Sequence, residues 1–180
     1  MIFFTVMQIK TQEELFKGPV KIKYLTEKGI KVSKILSGEK IKVMFDGEIT
    51  RKKDIVEIKG KIFVDKVVEC VRCLDEFYAN ASDVINIYLK PSYLIPDEEE
   101  IELKIEDLDD DFYEGEEMDF YSYIISLGES IVPSYNLCSE NCRGICKNCG
   151  ENLNKNKCRC HLERASEPKT MDLFFQKQKN

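Results

Sequence analysis

The sequence has no tryptophan, a single histidine (His161) and only five prolines. It contains no apolar run of about 18 residues that could cross a bilayer, so no membrane partner is expected. It also contains no G-x-S-x-G, no G-x-x-x-x-G-K-S/T and no G-x-G-x-x-G, which removes the common nucleophile, phosphate-cradle and dinucleotide signatures. With one histidine, acid–base chemistry has little to draw on. The expectation is a protein that is not an enzyme and has no small-molecule substrate. The opening Met1-Ile2-Phe3-Phe4-Thr5-Val6 is too short for the apolar core of a secretory signal and has no basic flank, and Met7 reads as a second start. A cytoplasmic location is therefore expected, where thiols stay reduced.

Against these absences stand eight cysteines. Six lie between Cys138 and Cys160 with the spacing C-x3-C-x3-C-x2-C-x8-C-x-C, and two form an upstream knuckle, Cys70 and Cys73. Reduced cysteines in even number read as metal ligands, and eight divide into two tetrahedral four-thiolate sites with none left over. Cys146-Lys147-Asn148-Cys149-Gly150 is a knuckle in which glycine follows the second ligand, where the chain turns sharply and a Cβ would crowd the sulfurs. Cys158 and Cys160 return to it, giving one site of Cys146, Cys149, Cys158 and Cys160. The other would take Cys70, Cys73, Cys138 and Cys142, which requires the upstream knuckle to meet the C-terminal segment in space. A rival partition gives Cys138, Cys142, Cys146 and Cys149 one ion and leaves a weaker second site. Zinc is the expected metal, two structural ions per chain, because both sites would be closed. Thiolates alone also admit an iron–sulfur cluster, and Cys142-x3-Cys146-x2-Cys149 has the radical-SAM spacing, but too little chain follows for the barrel those enzymes need. His161 could replace a thiolate or stand beside the site.

The chain is 43% apolar over 180 residues, enough for one moderate core and a satellite module. Its net charge of −6 is lopsided: Asp97–Glu117 holds thirteen acids against Lys104 alone, a local −12 that leaves +6 elsewhere. A mildly basic body carrying one acidic loop is compatible with an RNA partner. The boundaries read as follows: a β-rich body over 1–96 that includes the Cys70/Cys73 knuckle, an acidic solvated loop over 97–117, a packing helix over 118–133, a Cys-rich zinc module over 134–162 and a charged tail over 163–180. In the body Ile41, Val43 and Phe45 alternate with polar neighbours, and so do Val56, Ile58, Ile62 and Val64, with Gly60 a plausible bulge. After the knuckle the phase resumes with Phe77, Ala79, Ala81, Ile85, Ile87 and Leu89, which puts the knuckle at a hairpin tip. In the helix Asp119 is the N-cap, Phe120, Ile124, Leu127 and Ile131 share a face, and Pro133 marks the end. The fold class is thus α+β: an antiparallel β-meander with a packing helix and a C-terminal zinc-ribbon-like module.

Cys70-Val71-Arg72-Cys73-Leu74, the helix from Asp119, Cys138-x3-Cys142-x-Gly144-x-Cys146-x2-Cys149-Gly150 and Asn152-Leu153-Asn154 before Cys158-x-Cys160 together resemble the YceD family, the large ribosomal RNA subunit accumulation proteins. The resemblance implies a cytoplasmic, non-catalytic factor for synthesis, processing or stability of 23S rRNA, with 23S rRNA or its precursor, and a large-subunit ribosomal protein, as the partners to expect. Glu167-Pro168-Lys169-Thr170-Met171-Asp172-Leu173 follows the family's closing segment only loosely. Within the metal module Arg143, Lys147, Lys155, Lys157, Arg159 and Arg164 outnumber Glu140, Glu151 and Glu163, and cations on a rigid knuckle suit phosphate contact. They also suit compensation of the surplus negative charge of a four-thiolate zinc. Arg72, between two ligands, reads as a hydrogen-bond donor to the thiolates. Lys42, Lys59 and Lys61, with Arg51, Lys52 and Lys53, offer a second cationic surface. The competing reading is a zinc adaptor that recruits a ribosomal protein or RNA-processing enzyme without touching RNA.

Overall fold

The computed structural model describes residues 8–95 and 105–160. Among these the chain forms two compact units: one runs to Val67 and resumes over Tyr78–Pro133, the other joins Val68–Phe77 to the residues from Ser134 onward.

The first unit begins with α1 (Gln12–Leu15), a single turn held by a capping box. The Thr11 hydroxyl accepts the Glu14 N–H while the Glu14 carboxylate accepts the Thr11 N–H. After β1 (Val20–Lys21) come β2 (Ile30–Ser37), β3 (Ile41–Lys52), β4 (Ile55–Glu69) and β5 (Glu76–Pro91), then β6 (Asp110–Tyr113), β7 (Glu117–Met118) and α2 (Phe120–Ile131). Strands β2 to β6 make one sheet in that order, and β1 pairs with β7 in a second. The β2–β3 and β3–β4 pairs are antiparallel. Residues 70–75 are too few for the crossover that a parallel pair requires, so β4 and β5 form a hairpin.

The alternation read from the sequence places one face of each strand in the core. Val32 and Leu36 of β2, Val43 and Phe45 of β3, Val56, Ile58, Ile62 and Val64 of β4 and Leu89 of β5 are all buried. Gly60 is no bulge. It stands in register with Gly47, and the Phe45 ring lies across both glycines, so that a Cβ on Gly60 would come within 2.9 Å of that ring and 2.5 Å of the Asp46 carbonyl.

Helix α2 covers this inner face. Asp119 is its N-cap, accepting the Tyr121 N–H at 3.0 Å and the Ser122 N–H at 3.4 Å. The fully buried line runs through Phe120, Ile124 and Gly128, with Leu127 and Ile131 half-buried beside it. Gly128 decides this, because the helix lies so close to the sheet that a Cβ there would sit 2.6 Å from a Val43 methyl.

The acidic stretch is more ordered than a solvated loop. Residues 97–104 lie outside the described residues, but Asp110–Tyr113 pairs parallel to β5, and Glu117-Met118 pairs antiparallel to Val20-Lys21. Tyr113 is buried and its hydroxyl donates to the Asp54 carbonyl at 2.6 Å, while Lys90 pairs with Asp110. A short edge strand thus takes its place by one tyrosine and an ion pair, its other acids facing out. The sheet is mixed where a pure meander was expected.

Candidate metal centre

The second unit is built on two knuckles with the same backbone. In the first, the Leu74 N–H donates to the Cys70 carbonyl at 2.9 Å and the Cys70 N–H to the Asp75 carbonyl at 2.9 Å. In the other, the Gly150 N–H donates to the Cys146 carbonyl at 2.9 Å and the Cys146 N–H to the Glu151 carbonyl at 2.8 Å. The residue after the second cysteine is left-handed in both, with φ 62° at Leu74 and 74° at Gly150. This corrects the reason given for Gly150: nothing lies within 4 Å of a Cβ there, so the position needs the left-handed backbone and not the space.

The thiols gather into two groups, Cys70, Cys73, Cys138 and Cys142, and Cys146, Cys149, Cys158 and Cys160, with all sulfurs of a group within 4.8 Å of one another. This is the first partition and excludes the rival one. The upstream knuckle and the C-terminal segment meet within one unit, as that partition required. Cys70 Sγ lies 3.7 Å from Cys142 Sγ and Cys73 Sγ 3.6 Å from Cys138 Sγ; in the other group Cys158 Sγ is 3.5 Å from Cys149 and 3.3 Å from Cys146. A disulfide would bring two sulfurs to about 2.05 Å. Four sulfurs at about 2.3 Å around one tetrahedral ion stand about 3.75 Å apart. Both groups fit an ion at their centre, and such an ion would serve as a cross-link with all four positions filled by protein.

The thiols are poised unequally. Burial pushes the Cys70 thiol up, but the N–H groups of Cys138, Cys73 and Arg72 outweigh it and bring it down to about 6. N–H groups of Cys149 and Asn148 and the Cys158 sulfur hold Cys146 at about 6. Desolvation among the packed sulfurs, and then the sulfurs themselves, push Cys138 up to about 12, while Cys160 reaches about 12 mainly through the Cys158 and Cys149 sulfurs. Each group therefore has one ready anion and one reluctant thiol, the pattern of negative charge crowded together until a cation joins it.

The two groups differ in burial. Cys70, Cys73 and Cys142 are the core of this unit, with Phe77 and Leu137 packed against them, whereas Cys149 is exposed and its three partners half-buried. Two residues passed over from sequence support the first group. The Asn154 side chain donates to Cys142 Sγ at 3.3 Å and lowers that thiol, while its carbonyl accepts the Arg143 N–H at 2.8 Å. Asp75 accepts from Asn152 at 2.8 Å and pairs with Lys155 at 2.8 Å. The Asn152-Leu153-Asn154 motif was the available signal for both asparagines; Asp75 had none. The Arg72 side chain donates to the Cys142 carbonyl at 3.2 Å, while its backbone N–H is among those that lower the Cys70 thiol.

Of the cations read as phosphate contacts, Arg143, Lys147, Lys157 and Arg159 are exposed. Lys155 is exposed too, but its ammonium is engaged by Asp75. His161, Arg164 and the 163–180 tail lie outside the described residues. No described helix is long and apolar enough to cross a membrane.

A family model described as large ribosomal RNA subunit accumulation protein YceD matches residues 58–174, a span that contains all eight cysteines. No curated protein and no solved structure gives a significant match.

Proposed function

Because the chain belongs to the YceD family, the large ribosomal RNA subunit accumulation proteins, we propose that it is a non-catalytic ribosome-biogenesis factor that supports accumulation of 23S rRNA by binding that RNA or an early large-subunit particle. In this reading zinc fills both four-cysteine groups and makes the second unit a zinc-ribbon-like platform. The observation that carries it is the second knuckle: Lys147 projects from the C-x2-C turn, Lys157 and Arg159 flank Cys158, and all three are exposed on backbone that the thiolates would hold rigid. Cations on a fixed frame meet phosphates without the entropy loss of ordering a loop. Closed coordination supports a structural metal and a role without catalysis. The protein would work in the cytoplasm, where its RNA is made.

The test is binding of the metal-loaded protein to purified 23S precursor RNA across a salt series. Direct phosphate contact gives an affinity that falls steeply with salt, and Lys147→Ala with Lys157→Ala lowers both the affinity and the slope, by about one phosphate per lysine. RNA that stays intact during the incubation agrees with a role without catalysis; cleavage would overturn it.

A second reading, a zinc adaptor recruiting a ribosomal protein or RNA-processing enzyme, draws on the first knuckle. Val71 and Leu74 there, and Ile145, are exposed apolar side chains. Such a surface suits a protein partner better than phosphate. No affinity for RNA at any salt would favour it.

A further inference from the structure

On the sheet face opposite α2 the described residues leave apolar side chains exposed, and the pattern of that face is specific. Ile35, Met44 and Phe63 stand in register across β2, β3 and β4 and point outward, 63%, 38% and 42% exposed. They form an apolar row running across the strands. On one side of it lies the row Ser37, Lys42, Asp65, and on the other Ser33, Asp46, Lys61, each again in register. The four charged residues are exposed. This is not the cationic surface that the strand lysines suggested, because each lysine stands opposite an acid: Lys42 opposite Asp65, Lys61 opposite Asp46 and Lys59 opposite Glu48. An RNA backbone drawn to one of these lysines would be repelled by the neighbouring carboxylate at once.

We propose that this face is a homodimer interface in which a second copy of the chain lays its own Ile35–Met44–Phe63 row upon this one. The argument is the symmetry of the charges. A two-fold axis along the apolar row exchanges the two flanking rows while keeping each strand over its own counterpart. It sets Lys42 against Asp46 of the second copy and Asp65 against Lys61 of the second copy, so that both contacts and their symmetry mates, four in all, are opposite in sign. A surface complementary to itself under a two-fold is what an isologous dimer requires, and a foreign partner would have no need of that checkerboard. The axis also turns the strands antiparallel to their counterparts, which is the aligned packing of two twisted sheets. Four strands about 4.8 Å apart, with β3 twelve residues long, present a face of roughly 700 Å2 per copy, near the roughly 800 Å2 that a standard interface buries on each side.

This inference goes beyond the proposed function and does not depend on it. The full chain, metal-loaded, is examined by sedimentation equilibrium over a range of concentrations. The expected result is a monomer–dimer equilibrium. Phe63→Glu, on an exposed site, leaves the circular dichroism and metal content unchanged and yields monomer. A fourfold variant, Lys42→Asp, Asp46→Lys, Lys61→Asp and Asp65→Lys, keeps every cross-strand opposite pair and its own self-complementarity, so it dimerises with itself. Mixed with the unaltered chain it forms heterodimers at least about tenfold more weakly, since every intermolecular pair would then be alike in sign. A wild type that stays monomeric at every concentration, a dimer indifferent to Phe63→Glu, or free mixing of the two charge patterns would each overturn the proposal. Loss of RNA binding by Phe63→Glu in a monomeric wild type would assign the face to RNA instead.

Discussion

Leu74 holds a backbone conformation that Gly150 adopts at the same point of the other knuckle. A left-handed leucine brings its Cβ against its own carbonyl at a cost of about 1–2 kcal/mol, and its side chain, 54% exposed, recovers little of that by burial. Glycine pays more entropy in the unfolded chain, about 0.5–1 kcal/mol. Leu74→Gly is therefore expected to stabilise the metal-loaded protein by up to about 1 kcal/mol, read as a shift in the urea midpoint. Gly150→Leu should move it the other way. Asn154 offers the second test at this scale. Its N–H on Cys142 Sγ both lowers the thiol and aims the sulfur, so Asn154→Ala should weaken metal binding at the first group about 10-fold or more, measured by competition with a chromophoric chelator. The two four-cysteine groups were legible because each C-x2-C pair is local and the count of eight leaves no remainder. Asn154 and Asp75 earn their roles through contacts 12 and 80 residues away, and no spacing rule reaches that far.

The strands were legible as elements because burial on one side forces a period of two, which β3 and β4 keep over Ile41–Phe45 and Ile62–Asp65. Strand β6 was not, since four residues in an acidic run carry no period, and a single buried tyrosine sets their position. Gly60 was misread and the part played by Gly128 was not visible for a shared reason: a glycine in sequence does not say which neighbour fills the space its side chain vacates. For Gly128 the magnitudes decide the outcome. Alanine would add about 1 kcal/mol of helix propensity, but overpacking against Val43 costs about 1–3 kcal/mol, so Gly128→Ala should destabilise by about 1 kcal/mol in chemical denaturation. The outer face of β4 contributes a pH dependence. Lys59 beside Glu57, and then the Tyr88 hydroxyl, outweigh burial and hold that carboxyl below its ordinary range. Its contribution to stability is complete above the pKa of an unfolded glutamate and is lost as pH falls through the depressed folded value. Lys59 is raised by the same pair and loses its share only as pH climbs through that raised, alkaline value. Lys59→Met should accordingly lower stability at neutral pH, leave it nearly unchanged below the depressed folded value, and so flatten the acid limb of a stability–pH curve.

The whole chain divides its stability between two kinds of core. The first unit buries hydrocarbon, with Phe45, Ile58, Ile62, Leu89, Phe120 and Ile124 fully enclosed. The second buries sulfur, three cysteines with Phe77 and Leu137 leaning on them, too little apolar surface to offset the entropy of ordering its residues. Removal of metal should then act on one unit and spare the other. The second group is expected to release its ion first, because none of its four sulfurs is buried, whereas in the first only Cys138 is exposed and Cys70, Cys73 and Cys142 are shielded. Hydrogen exchange during a chelator titration would show protection lost around residues 146–160 at low chelator, then across 68–77 and 134–145. The amides of β2, β3 and the part of β4 up to Val67 should keep theirs throughout, since no metal ligand lies in those strands. Acid acts on both groups, for each ion must compete with protons for four sulfurs, and each group holds one thiol pushed up to about 12, Cys138 in the first and Cys160 in the second, that takes its proton back most readily. If β2 to β4 lost protection together with the knuckles, metal would be holding the hydrocarbon core as well, and two kinds of core would be the wrong description.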